Sequence, residues 1–252
     1  MAEQTTSTSW ILRIGATAGI VGALLGLVGN LLHPATPTDD PDGVARAIAD
    51  SQLWVADHLA IVLGLILMLG GLVALAHSIQ DGLPGALARL GSIAAVAGIT
   101  VGLILVTLDG LAAPQLAEAW ATAPPGEQAT ALRLVLAQET LNFALAALFN
   151  ILFAGVTFIL YGLAVAWSRL YPRWLGWVAV AAGVGSVLAG LIQASAGQST
   201  TVTRILTIIF PTVITLWLIE MGVLSLRRAA KAKGPERNPG RPLLNPGGGG
   251  GI

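Results

Sequence analysis

Hydrophobic residues in this chain neither alternate nor keep to one face. They run in long blocks separated by short polar stretches. A helix needs about 20 predominantly apolar residues to cross the hydrocarbon core of a bilayer. Six blocks reach that length: 10–33, 54–78, 87–110, 141–167, 174–196 and 202–226. The first is longer than the apolar core of a signal peptide and has no small-residue cleavage site at a sensible distance, so it is expected to be retained as a span. The connections at 80–84 and 169–173 are short, whereas 34–53 and 111–139 are long. Within the first long one, residues 42–49 form an amphipathic stretch expected to lie in the membrane interface. Within the second, the segment after Pro124-Pro125 is expected to extend the fourth span as helix. The pattern predicts an all-α polytopic membrane protein of six transmembrane helices. Residues 1–9 are expected to be a disordered N-terminal segment, 10–232 the transmembrane domain, and 233–252 a disordered Gly- and Pro-rich tail.

Basic residues orient such a bundle, because cytoplasmic loops retain Lys and Arg. With the N-terminus inside, Arg13, Arg89, Arg169, Arg173, Arg227, Arg228, Lys231, Lys233, Arg237 and Arg241 fall on the cytoplasmic side, and only Arg46, Arg133 and Arg204 fall outside. The outer loops instead carry Asp39, Asp40, Asp42, Asp50, Glu118 and Glu127. Both termini are therefore expected in the cytoplasm, with the chain in a plasma membrane. Composition agrees with the pattern: 55% of residues are hydrophobic and only 10% charged, against about 25% charged in a soluble domain. The absence of cysteine removes thiolate metal sites, iron–sulfur clusters and thiol catalysis. There is no phosphate-binding glycine loop, no dinucleotide fingerprint and no HExxH. The expected partner is the bilayer, with no nucleic acid; nothing indicates a protein partner or a homo-oligomer.

Small residues in lipid-embedded helices mark packing faces, since they let backbones approach closely. Gly15, Gly19, Gly22, Gly26 and Gly29 form one such face, and a further step of four reaches His33. Gly91, Ala95, Gly98 and Gly102 form another, and seven further residues reach Asp109. Gly176, Ala179, Gly183, Ser186 and Gly190 lead to Gln193, while Asp57, Gly64 and Gly71 share a stripe on the second span. Similar openings at Arg13-Ile14-Gly15, Arg89-Leu90-Gly91 and Arg173-Trp174-Leu175-Gly176 suggest three two-helix hairpin repeats.

The polar ends of these faces define a candidate outward-facing pocket of His33, Asp57, His58, Asp109, Glu139, Asn142 and Gln193, fit to bind a small molecule, a lipid or a metal. Ionisable groups inside a membrane are costly and point to function, although residues at helix ends also sit comfortably near the interface, Asp57 and Glu139 with help from the helix dipole. Asp109 fits that bland account worst, as a carboxylate at an expected helix C-terminus. His33, His58 and Asp109 are the candidate metal ligands, with nitrogen and oxygen donors suited to a first-row ion. His33 and His58 are also placed to clasp a haem, and the cofactor stays unassigned at this stage. Glu220, on a threonine-rich sixth span kinked by Pro211, is an inner-leaflet candidate for a permeation path. A transporter or channel-like protein and a non-enzymatic scaffold or partner subunit are the alternatives, and whether the chain is an enzyme is left open. Trp10, Trp54, Trp167, Trp174 and Trp177 read as interfacial anchors.

The pattern Asn30-x-x-His33-Pro34, an acidic loop, Trp54-x-x-x-His58-Leu59 and Gly70-Gly71-Leu72-x-Ala74-Leu75 resembles uncharacterised six-span membrane proteins frequent in high-GC actinobacteria. The resemblance covers chiefly the first two spans. It implies the same topology and a bacterial plasma membrane, and it brings no activity or catalytic residues.

Overall fold

Where two helices in lipid touch through small residues, their backbones come close enough for dispersion to hold them. That device organises this molecule. A computed structural model describes residues 2–34, 36–37, 40–198 and 200–231. Its elements in chain order are α1 (Ala2–Leu32), α2 (Pro41–Ala49), α3 (Trp54–Ser78), α4 (Gly82–Thr107), a π-helical turn π1 (Leu108–Ala112), α5 (Ala113–Ala121), α6 (Gln128–Phe149), a second π-helical segment π2 (Asn150–Thr157), α7 (Phe158–Ser168), α8 (Arg173–Ala196) and α9 (Thr201–Lys231). Six continuous stretches are long and apolar enough to cross a membrane: Trp10–Leu32, Trp54–Ser78, Gly82–Ala121, Gln128–Ser168, Arg173–Ala196 and Thr201–Lys231. No strand occurs among the described residues.

The glycine face of α1 lies on α3. A methyl group at Gly22 would sit 2.6 Å from the Gly64 carbonyl oxygen, so the two backbones are in direct contact. The small face of α4 meets the fourth span, with Gly98 against Phe153 and Gly91 against Tyr161. The corresponding face of α8 meets the fourth span too, Gly176 against Gly162 and Gly183 against Gly155. Each odd span thus buries its small-residue face, but the first and third use the helix that follows, and the fifth uses the one before. The fourth span is sandwiched as a result. Phe153, Phe158, Tyr161, Ala164 and Val165, all within it, are almost fully buried.

Several expectations change here. The residues ahead of Trp10, expected to be irregular, begin α1 as helix from Ala2. The tail 233–252 lies outside the described residues. The amphipathic segment becomes α2, capped by the Asp40 carboxylate accepting from the Gly43 amide at 2.9 Å and started by Pro41. It packs inward rather than resting in the interface: Ile48 is buried with Trp54, Ala113 and Ala117. The partner it needs is α5, which was expected to be loop. The helix from Gln128 does extend the fourth span.

The sixth span also differs. α9 runs unbroken through Pro211. Its threonine hydroxyls turn back onto their own helix, Thr207 donating to the Thr203 carbonyl at 2.8 Å, Thr212 to Ile208 at 2.6 Å and Thr215 to Pro211 at 2.8 Å. Glu220 is exposed. The buried stripe of α9 passes through Ile214, Trp217, Leu218, Met221 and Ser225, and Glu220 falls off it. It is therefore not the buried carboxylate of a permeation path.

Candidate functional site

At the end of the bundle opposite the chain termini, four elements bring polar side chains together. His33 follows the last turn of α1, which stops before Pro34 because proline disfavours helical backbone in the residue ahead of it. Asp57 and His58 lie in the first turns of α3. They are neighbours about 100° apart around the axis, and both are buried, 5% and 3% exposed, because α1 covers one side of α3 and π1 the other. Asp109 comes from π1, and Glu139 and Asn142 from α6.

Asp109 is not at a helix end. The helix continues through π1 into α5, and Pro114 explains why it widens there. Proline has no amide hydrogen and its ring collides with the carbonyl four residues back, here that of Gly110. A π-turn, with the Ala113 amide donating to the Leu108 carbonyl, relieves the collision without breaking the helix. Gly110 then lies directly on His58, where a Cβ atom would overlap the His58 side chain. The widened turn therefore presses backbone against the histidine and places Asp109 beside its ring.

The contacts form one connected chain. His33 Nδ1 is 3.3 Å from Asp57 Oδ2. Asp57 Oδ1 accepts from the His58 amide at 2.7 Å and lies 2.8 Å from His58 Nδ1. His58 Nδ1 also lies 2.6 Å from the Trp54 carbonyl oxygen, and His58 Nε2 is 3.2 Å from Asp109 Oδ2. Asn142 Nδ2 donates to Asp109 Oδ1 at 3.1 Å and to Glu139 Oε1 at 3.3 Å. Trp54 stacks on His58 with ring centroids 5.2 Å apart, approaches His33 at 4.8 Å, and donates from Nε1 to the Asp109 carbonyl at 2.7 Å.

This arrangement is short of positive charge. A carbonyl oxygen only accepts, so His58 Nδ1 carries a hydrogen toward Trp54. In the neutral ring Nε2 is then an acceptor, and it faces another acceptor, Asp109 Oδ2. A proton or a cation is needed between them. Asp57, Asp109 and Glu139 have no lysine or arginine within ion-pair distance among the described residues. Buried charges left without such partners are costly, more so within a membrane. Two buried acceptor atoms, Asn142 Oδ1 and Gln138 Oε1, also have no hydrogen-bond partner. One ligand atom each from His33, Asp57 and His58 can be chosen so that all lie within 4.8 Å of one another, close enough to hold one metal ion.

Of the residues singled out in the sequence, His33, Asp57, His58, Asp109, Glu139 and Asn142 come together. Gln193 does not join their chain; it is buried and donates to the Phe143 carbonyl at 3.2 Å. His33 and His58 do not stand as a pair of axial haem ligands here, their ring centroids 4.9 Å apart in an edge-to-face pair leaving no room for a porphyrin plane between them. Trp54, Gln138 and Gly110 were not anticipated. Trp54 was read as an interfacial anchor but is only 2% exposed, while Trp10, Trp167, Trp174 and Trp177 are exposed. Its spacing of four from His58 was the available signal, because it places both rings on one helical face. A cavity of about 450 Å³ opens beside the cluster, with His33 and Glu139 in its wall.

No curated protein and no solved structure matches the chain. A family model described as a domain of unknown function, DUF4386, matches residues 14–222, from the first glycine face to the sixth span. The chain belongs to the DUF4386 family, an integral membrane protein of six apolar helices.

Proposed function

We propose that the end of the bundle bearing His33, Asp57 and His58 is a binding site for a divalent first-row metal ion, with Asp109 as a further ligand. The convergence of three donor atoms within 4.8 Å, on two buried side chains and one half-buried one, carries this reading. The donors suit such an ion, imidazole and carboxylate being ligands of zinc and its neighbours. A metal-ligating histidine typically gives its other ring hydrogen to a backbone carbonyl or carboxylate, which is what His58 Nδ1 does with Trp54 and Asp57. Two ligands at zinc distances of about 2.0–2.1 Å in a tetrahedron stand about 3.3 Å apart. The His58–Asp109 and His33–Asp57 separations, 3.2 and 3.3 Å, accommodate that spacing, though direct hydrogen bonds have the same length. An ion there also supplies the positive charge the cluster lacks.

The excess of basic residues at the end bearing the termini supports a plasma-membrane protein with both termini cytoplasmic and the metal site facing outward. The resemblance of the first two spans supports a bacterial membrane. The test is elemental analysis of the full-length protein in mild detergent, stripped with chelator and then titrated with zinc. About one ion per chain is expected in the native protein, and a large loss in His33→Ala, whose half-exposed side chain can be removed without opening the core. Zinc uptake no greater than a detergent blank, or equal uptake by His33→Ala and native protein, would overturn the assignment.

A further inference from the structure

The geometry points to a second ligand: a phospholipid whose head group carries both a phosphate and a primary ammonium, seated in the cavity beside the metal cluster. This inference shares His33 with the metal site but rests on the cavity, Glu139 and Arg204, so either can fail alone.

The cavity of about 450 Å³ lies between the facing parts of α6 and α9, with the end of α1, the segment after it and the start of α2 forming the remaining wall through His33, Pro37 and Val44. α9 leans on α1 and α8, whereas α6 packs on α4, α5 and α8, which leaves their adjoining ends apart. Its walls combine two chemistries. Leu136 and Phe143 from α6 and Ile208 from α9 are apolar, and Ile208 is 61% exposed on the side where the bundle meets lipid. Glu139 and Arg204, from the two flanking helices, have opposite charges. They form no ion pair with each other, and the Arg204 guanidinium has no hydrogen-bond partner among the described residues.

A cleft walled by hydrocarbon, bounded by bilayer, and carrying a separated cation and anion is complementary to an amphiphile with both charges on its head. Guanidinium is the side chain best matched to phosphate, through forked N–H donors. A carboxylate accepts hydrogen bonds from a primary ammonium and has none to accept from a quaternary one. Asn142 occupies one Glu139 oxygen, Oε1, and leaves the other for the ligand. An ethanolamine-type phospholipid satisfies both walls, and its acyl chains continue along Phe143 and Ile208. Arg204 is an exposed residue of the first turn of α9 in the cavity wall. It is one of three basic residues at this end of the molecule, where spans normally carry few.

The test is native mass spectrometry of the full-length chain offered equal amounts of phosphatidylethanolamine, phosphatidylcholine and phosphatidylglycerol. Selective retention of the ethanolamine lipid is expected. Arg204→Gln should reduce it about tenfold or more, as for a lost charge-assisted hydrogen-bond pair, and Arg204→Lys should restore part of it. Equal retention of all three lipids, or native retention by Arg204→Gln, overturns the inference. Soluble O-phosphoethanolamine displacing the lipid at equal concentration overturns the lipid assignment in favour of a free head group. Zinc content measured on the same samples separates the readings. Arg204→Gln that keeps its metal and loses its lipid supports both, while Arg204-dependent lipid binding without metal in any sample supports this inference and removes the metal one.

Discussion

Two polar clusters lie in this bundle, and they are built on opposite principles. Toward the end that carries the termini, Ser92 donates to the Tyr161 hydroxyl at 2.8 Å, and Tyr161 donates to the Leu72 carbonyl at 2.8 Å. Tyr171 joins Ser78 at 2.9 Å and Ser225 at 3.3 Å in the same manner. Each hydroxyl gives its one hydrogen to the next oxygen and the last gives to a backbone carbonyl, so every contact has its hydrogen and no charge is needed. At the other end, carboxylates and imidazoles face one another with acceptors outnumbering hydrogens. A closed network needs nothing more and ties helices together. An unclosed one, held in place by a π-turn and a stacked tryptophan, is complete only when something enters it. On the proposed reading the cluster nearer the termini is structural and the opposite one a binding site, and the difference can be tested by removing one member at a time.

The largest effect is expected at His58. His58→Ala deletes the ring that touches Trp54, Asp57, Asp109 and Gly110 at once. Removal of a partner that merely orients a ligand costs about 10–100-fold in metal affinity, so losing the ligand should cost at least about 100-fold in a zinc titration. Native affinity in this variant would mean that the ion, if one binds, is held elsewhere. Asp109→Asn gives a smaller and more telling result. Its amide can donate to His58 Nε2, replacing the confrontation of two acceptors with a hydrogen bond while keeping Oδ1 for Asn142. The metal-free protein should gain about 1 kcal/mol of stability, and zinc affinity should fall. Thermal unfolding with and without zinc measures both signs. A loss of stability in the stripped protein would mean that a proton already joins His58 to Asp109, and that the site is complete without metal.

Much of this contrast was written in the sequence. The six apolar blocks and the small-residue faces prescribe the helices and their contacts, because in lipid little else can drive association. Following those faces to their polar ends located His33, Asp57, His58, Asp109, Glu139 and Asn142. What could not be read was the path between blocks. An apolar run ending near Gly110 looks like the end of a span, and Pro114 like confirmation of it. Whether proline ends a helix or widens it into a π-turn depends on what lies against that turn, here His58 and α6. Trp54 and α2 were misread for the same reason, since their burial depends on α5, which the proline concealed. Gln193 and Glu220 differ from the expectation in separate ways. Gln193 is buried on the expected face of α8 but spends its amide on the Phe143 carbonyl instead of joining the cluster. For Glu220, a shift of one position around the axis decides between the bundle interior and its surface, and the stripe of α9 is too uniform to fix that angle.

The smallest expected effect tests the structural cluster. Tyr161→Phe keeps the ring against Gly91 and removes only the hydroxyl. The Leu72 carbonyl loses a second partner, and the Ser92 hydroxyl turns to its other acceptor, the Ala88 carbonyl 3.0 Å away. Side-chain hydrogen bonds between membrane helices average about 0.6 kcal/mol and reach about 1.7. A destabilisation of about 1 kcal/mol in detergent unfolding is therefore expected, with zinc binding and lipid retention at native levels. The absence of coupling matters more than the size of the loss. Tyr161 reaches the fold through α4, α7 and the later turns of α3 at Leu72, whereas the proposed metal cluster depends on the first turns of α3 and on π1, and the glycine contacts between α1 and α3 hold those turns in place whether or not the hydroxyl is present. A substantial fall in zinc affinity on loss of this one oxygen would show that the closed network tensions the site from a distance, and the two ends of the bundle would have to be treated as a single device.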